Sequence, residues 1–95
     1  MRNDKGALWE NFIISERKKF LAYNKIYANT YFWRTHAQQE IDYIEEREGK
    51  LFAYEFKWSK HKKTRISKTF TKAYPNAECR IVTPENFEEF ILSQN

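Results

Sequence analysis

Residues 42–57 read Asp-Tyr-Ile-Glu-Glu-Arg-Glu-Gly-Lys-Leu-Phe-Ala-Tyr-Glu-Phe-Lys. Two runs of alternating apolar and polar residues meet at Arg47-Glu48-Gly49-Lys50, the pattern of a β-hairpin. Successive side chains of a strand point to opposite faces, so Glu55 and Lys57 share one face while Tyr54, Phe56 and Trp58 share the other. A turn of two or four residues sets Asp42 directly across from Glu55, with Cβ atoms about 4.5–5.5 Å apart. A three-residue loop centred on Glu48 turns Asp42 to the opposite face instead. With the even turn, two carboxylates oppose one another and repel, and a divalent cation is one thing that reverses the sign of that interaction.

Upstream of the hairpin, residues 25–34 are rich in Tyr, Phe, Trp and Thr and read as a first strand, ending before the polar run 35–39. Before that, Asn3-Asp4 precedes Leu8, Trp9, Phe12, Ile13, Phe20 and Leu21, a cap followed by helical spacing that predicts an amphipathic helix from about Asp4 to about Leu21. Glu10 flanks its apolar stripe, and Glu16, Arg17, Lys18 and Lys19 read as its wet face.

Downstream, a basic connection leads into Ile66, Phe70, Ala73 and Tyr74 at helical spacing. Residues 78–83 read as a short strand with Cys79 and Ile81 on one face, Cys79 being a small core residue. Thr83-Pro84 sets a cap before a proline at the first position of a last helix carrying Phe87, Phe90 and Ile91. A strand that follows a helical crossover pairs parallel to an earlier strand of its sheet. The prediction is an α/β domain, a small mixed β-sheet flanked by helices in the order αβββαβα.

Ninety-five residues support one core, so residues 1–95 are expected to form a single domain. Aromatic residues make up 18% of the chain, enough for a few large side chains to supply most of the buried area. The net charge of +4 favours a polyanionic partner such as nucleic acid without requiring one. A lone Cys79 excludes an intrachain disulfide. The absence of a signal-peptide pattern or long apolar run argues against a membrane role and leaves a cytoplasmic location as the expectation.

Two carboxylates about a dozen residues apart, with a lysine two residues beyond, suit metal-dependent phosphodiester hydrolysis. Hard oxygen ligands hold a small cation, Mg²⁺ or Mn²⁺, that polarises phosphate and lowers the pKa of a bound water. Asp42 and Glu55 are the candidate ligands, with the Phe56 carbonyl as a third. Lys57 is placed to orient or deprotonate the attacking water or to stabilise charge in the transition state. As a bare string the spacing is common in charged proteins, where it denotes a solvated hairpin face with a Glu–Lys pair.

The order helix, three strands, helix, strand resembles the core of the PD-(D/E)XK, or restriction-endonuclease-like, nuclease superfamily. More closely, residues 6–12 (Gly-Ala-Leu-Trp-Glu-Asn-Phe), 32–35 (Phe-Trp-Arg-Thr), 40–44 (Glu-Ile-Asp-Tyr-Ile) and 55–57 (Glu-Phe-Lys) look like the C-terminal domain, of unknown function, of a prokaryotic family of AAA-type ATPases. The resemblance implies that Glu10, Asp42, Glu55 and Lys57 match the superfamily's acidic and basic positions, with Glu10 joining the metal ligands. Ile41 stands where many members have proline. It further implies an ATPase domain upstream in a longer protein, of which this chain is the C-terminal part. The chain itself has no G-x-x-x-x-G-K-[ST], and with glycine only at 6 and 49 it cannot build a glycine-rich phosphate cradle.

Lys60, His61, Lys62, Lys63 and Arg65, with Lys68 and Lys72 beyond, are candidate contacts to a nucleic-acid backbone, although such runs are usually solvated loops. His36 and His61 are too isolated for a zinc site. Trp33 and Trp58 can stack on bases, but core packing is the commoner role for such residues and the one expected of them. Two functions from different classes are thus expected: a metal-dependent nuclease domain, or a noncatalytic module of the same fold that binds nucleic acid or protein for its ATPase. A third is a purely structural domain packed on the ATPase.

Overall fold

The hairpin closes through the shorter of the two even turns. Glu48 and Gly49 both have positive φ, 52° and 77°, as a two-residue type I′ turn requires. The computed structural model describes residues 4–37, 39–58 and 66–92. Its elements are α1 (Asp4–Tyr23), β1 (Asn29–Arg34), β2 (Glu40–Arg47), β3 (Lys50–Phe56), α2 (Lys68–Ala73), β4 (Glu78–Val82) and α3 (Phe87–Leu92). This is the expected α/β order.

The strands form one four-stranded sheet in the order β1-β2-β3-β4. β2 and β3 pair antiparallel from Arg47↔Lys50 to Tyr43↔Tyr54. β4 returns parallel to β3, from Phe52↔Glu78 to Phe56↔Val82, as a crossover through α2 demands. β1 pairs antiparallel with β2, but the register shifts between Tyr31↔Ile44 and Trp33↔Ile41. One residue, Phe32, therefore opposes two, Asp42 and Tyr43, which is a β-bulge in β2.

Each face of the sheet has its own core. On one, α1 and α3 cover Tyr43, Tyr54, Phe56 and Val82, with Ile13 and Phe90 supplied by the helices. On the other, α2 presses Phe70 onto Ile41, Ile44 and Ala53, with Cys79 packed alongside. Ile41 and Ile44 share a face although three residues apart, because the bulge between them inverts the alternation. Cys79 is the small packing residue expected, and burial pushes its thiol pKa up.

Several boundaries differ from the sequence reading. β1 begins at Asn29 rather than Lys25, because the preceding residues terminate α1. Lys25 N–H donates to the Ala22 carbonyl and Ile26 N–H to that of Leu21, a Schellman motif with Lys25 in the left-handed region at φ 55°. Pro84 does not open α3. Residues 84–86 form a turn in which Thr83 N–H donates to Asn86 Oδ1 and Glu85 N–H to Thr83 Oγ1, and the helix starts at Phe87.

The largest correction concerns Arg17. It was expected on the wet face of α1, yet its side chain is 0% exposed and pairs with a Glu45 that is equally buried. Nε and Nη2 donate to the two Glu45 carboxylate oxygens at 2.8 and 2.9 Å, while Nη1 donates to the Phe90 carbonyl at 2.9 Å. Leu8 and Phe12, expected on the apolar stripe, are exposed instead. The buried line of α1 runs through Ile13, Arg17 and Leu21, spaced by four. Tyr43 Oη also donates to Glu45 Oε2 at 2.8 Å. Arg47 Nε lies 2.9 Å from Glu45 Oε1, without the alignment of a hydrogen bond, and its guanidinium rests 3.7 Å above the Phe52 ring. Burial alone would raise the Glu45 pKa, but Arg17, Tyr43 and Arg47 together hold it below the usual range.

Candidate functional site

Asp42 and Glu55 meet where β2 begins and β3 ends. The antiparallel pairing ends at Tyr43↔Tyr54, and Asp42 and Glu55 are the next residues of their strands. At this step side chains replace part of the backbone ladder. The Asp42 N–H donates to Glu55 Oε1 at 2.9 Å, and the Phe56 N–H donates to Asp42 Oδ2, also at 2.9 Å. Each carboxylate is thus held by the backbone of the other strand. The bulge at Asp42 and Tyr43 makes this reciprocal clamp available, since a bulge breaks the ladder and re-aims the side chain beside it.

They lie at the ends of the two central strands of the sheet, because β1 and β4 flank them. Both carboxylates are half-buried, with electrostatic consequences. Burial pushes the Glu55 carboxyl up, the charge of Asp42 pushes it further, the Asp42 N–H pulls it down, and Glu10 and Glu40 add repulsion, leaving it at about 7. Glu10 therefore acts on Glu55 from α1. Glu40 is an acidic neighbour that the sequence reading did not single out. It sits at the start of β2, where Arg34 Nε and Nη2 approach its Oε1 at 2.9 and 2.8 Å.

Lys57 follows β3, and its N–H donates to the Val82 carbonyl at 2.8 Å, extending the parallel register by one residue. Alternation then keeps its side chain on the side of Glu55. Among the described residues, no group of three His, Cys, Asp or Glu side chains is gathered to hold a metal ion. What the sheet provides is a pair of clamped carboxylates, with a third, Glu10, within electrostatic reach.

Lys60, His61, Lys62, Lys63 and Arg65 lie outside the described residues, as does the connection they form. Lys68 and Lys72 are exposed on α2. His36 is exposed in the turn after β1. Trp33 packs edge-on against Phe70, a core role. Trp58, expected in line with Tyr54 and Phe56, lies past the end of β3, with its ring 5.4 Å from that of Trp9 and its side chain over Gly6. Among the described residues no helix is long and apolar enough to cross a membrane.

Comparison with known proteins places these features in a family. The uncharacterized protein Mb2031c of Mycobacterium bovis and the uncharacterized protein Rv2008c of Mycobacterium tuberculosis are each 37% identical to the chain over 57 residues, 59% of this chain and 12% of theirs. The chain thus matches a small part of the length of these curated relatives. No solved structure matches it. The family model for a domain of unknown function, DUF4143, matches residues 5–94, which takes in Glu10, the hairpin with its clamped carboxylates, and Lys57, and the chain belongs to that family.

Proposed function

We propose that Asp42, Glu55 and Lys57 form the site of a metal-dependent phosphodiester hydrolase acting on nucleic acid, in a nuclease-like domain of the PD-(D/E)XK type that follows an AAA-type ATPase in the full-length protein. The observation that carries this reading is the reciprocal clamp. Two carboxylates are fixed side by side by each other's strand although burial first, and then the charges of Asp42, Glu10 and Glu40, drive Glu55 up to about 7. Acidic groups held together against their own repulsion suit a cation, which would remove that repulsion.

The donor set fits Mg²⁺ or Mn²⁺. Carboxylate oxygens are hard ligands, and a hydrated magnesium ion is commonly held by one or two carboxylates, with water and substrate phosphate completing its shell. Asp42 and Glu55 would hold it, with Glu10 and the Phe56 carbonyl as further oxygens. The ion would supply polarisation of the phosphate and a more acidic water. The chain's own part is positional. The clamp fixes the carboxylate oxygens, and Lys57 offers a cation to the phosphate or orients the attacking water.

One observation favours the noncatalytic reading, a module that binds nucleic acid or protein. It is that no third ligand is gathered beside the pair among the described residues. Isothermal titration with Mn²⁺ separates the two. The hydrolase reading expects uptake by wild type that Asp42→Asn loses, together with Mn²⁺-dependent cleavage lost in Glu55→Ala and Lys57→Ala. Cleavage persisting equally in all variants would be contamination. No uptake and no cleavage at millimolar Mn²⁺ would leave the binding module. If Lys62 and Lys63 contact phosphates, replacing both with Ala flattens the salt dependence of duplex binding, by about 0.9 in log K against log salt per phosphate lost.

A further inference from the structure

We propose that β1 is a pairing edge for a second copy of this chain, the two β1 strands lying antiparallel about a two-fold axis at Phe32 and joining their sheets into one. Nothing in this depends on the chemistry at Asp42 and Glu55.

The sheet has two outer strands, β1 and β4. β4 is guarded. It is short, at five residues, it carries Glu78 and Arg80, and on its open side the Ile81 carbonyl accepts from the Asn86 side-chain amide at 3.1 Å. β1 has none of these devices. Asn29–Arg34 holds no lysine, no proline and no bulge of its own, its one charge comes at its end, and every residue but Trp33 is exposed. Among the described residues, no loop or helix backbone bonds to Thr30, Phe32 or Arg34.

The hairpin settles which backbone groups of β1 face outward. A two-residue turn makes Arg47↔Lys50 a hydrogen-bonded pair, so Arg47 and Glu45 direct their N–H and C=O to β3, while Glu46 and Ile44 direct theirs to β1. Their partners Asn29 and Tyr31 therefore point inward. At the other end the Thr35 N–H donates to the Gln39 carbonyl at 2.9 Å, which fixes the same alternation. Thr30, Phe32 and Arg34 thus present their N–H and C=O groups away from the sheet.

An open edge accepts an extended strand, and side-chain complementarity selects which one. A two-fold axis at Phe32 sets that residue against Phe32 of the second copy and sets Thr30 against the second copy's Arg34. Every outward residue then faces an outward residue, and each such pair exchanges two hydrogen bonds. Between them Tyr31 faces the second copy's Trp33 in a non-hydrogen-bonded pair, where opposed side chains come closest. Aromatic meets aromatic through the middle of the strand, and arginine meets threonine at its ends, with no like charges opposed. The alternative centred on Arg34 would set the two arginines face to face. Self-pairing of this kind needs a single patch and closes on itself.

The area sets the strength. Tyr31 is 50% exposed and Phe32 58%. At about 150–250 Å² per large ring, those residues of the two copies supply on the order of 300–500 Å², to which the strand backbones add. That stays at or below the lower end of standard interfaces, about 1,200 Å², so the dimer is a weak one, formed between micromolar and millimolar protein.

The test is sedimentation of the whole chain over that range of concentration, with far-UV circular dichroism as the check on folding. Wild type is expected to pass from the mass of one chain to that of two and no further. Phe32→Lys sets like charges face to face, and Phe32→Pro removes an N–H that β2 does not use. Both are expected to keep the wild-type spectrum and to remain at one chain. Should Phe32→Pro unfold, Phe32→Lys decides. An equimolar mixture of Phe32→Lys and Phe32→Glu is expected to regain the dimer, because residue 32 faces itself only in this register. A wild type that stays at one chain throughout, a dimer that persists in Phe32→Lys, or a mixture no more associated than its parts would each overturn the pairing.

Discussion

The carboxyls of Glu45 and Glu55 start from the same ordinary pKa, 4.5, and burial pushes both upward, yet they end on opposite sides of it. Glu45 meets Arg17, Tyr43 and Arg47, and these cations and the phenol hydrogen bond hold it low. Glu55 meets Asp42, Glu10 and Glu40, and goes to about 7. For Glu55 the folded state binds the proton more tightly than the unfolded chain does. Its contribution to stability is therefore fully present below pH 4.5 and is lost as pH rises through about 7. Glu55→Gln removes the titrating proton. Thermal midpoints measured across this range should decline with pH in wild type and decline less in Glu55→Gln, leaving the variant the more stable protein at about pH 8. Parallel profiles would show that Glu55 does not titrate there. Any Mn²⁺ uptake should strengthen over the same interval, because the ligand must be ionised.

The elements end where single residues make them end. α1 stops at a Schellman motif whose left-handed position holds Lys25 rather than glycine. A side chain with a β-carbon in that conformation costs about 1–2 kcal/mol, which glycine does not. Lys25→Gly should therefore raise stability to chemical denaturation by about 1 kcal/mol, less whatever the freer unfolded chain takes back. A loss would mean that the lysine side chain contributes contacts of its own. In the hairpin, Glu48 occupies the same region at φ 52° beside a glycine that suits it. The two-residue turn fixes the register, which runs to Tyr43↔Tyr54 and leaves Asp42 and Glu55 next along their strands.

Across the whole molecule, Arg17 is the group that joins the layers. It reaches from α1 to Glu45 in β2 and to the Phe90 carbonyl, one of the last four of α3. Removing one partner of a buried pair leaves the other charged and desolvated, at a cost of about 3–5 kcal/mol. Arg17→Met should fall in this range by urea denaturation, and Glu45→Leu should be comparably damaging. The double variant Arg17→Met/Glu45→Leu should recover much of the loss, since the desolvation goes with the charges. Additive losses would place the energy in packing of the arginine stem instead.

The sequence alone determined the order of elements, the hairpin and the nearness of Asp42 to Glu55. Those follow from local rules: alternation, turn length, and the residues that cap or break a helix. It did not locate Arg17, because in a sequence an arginine among Glu16, Lys18 and Lys19 looks like part of a solvated face. The signal was present only as position, four residues from Ile13 and four from Leu21, in line with both. Nor did it show the bulge, which has no residue signature here and exists only because β1 pairs with β2 out of step. That pairing joins distant segments and is decided by which apolar side chains reach which core. The bulge gives Asp42 its clamp, so the tertiary structure completed the site that the local pattern had begun.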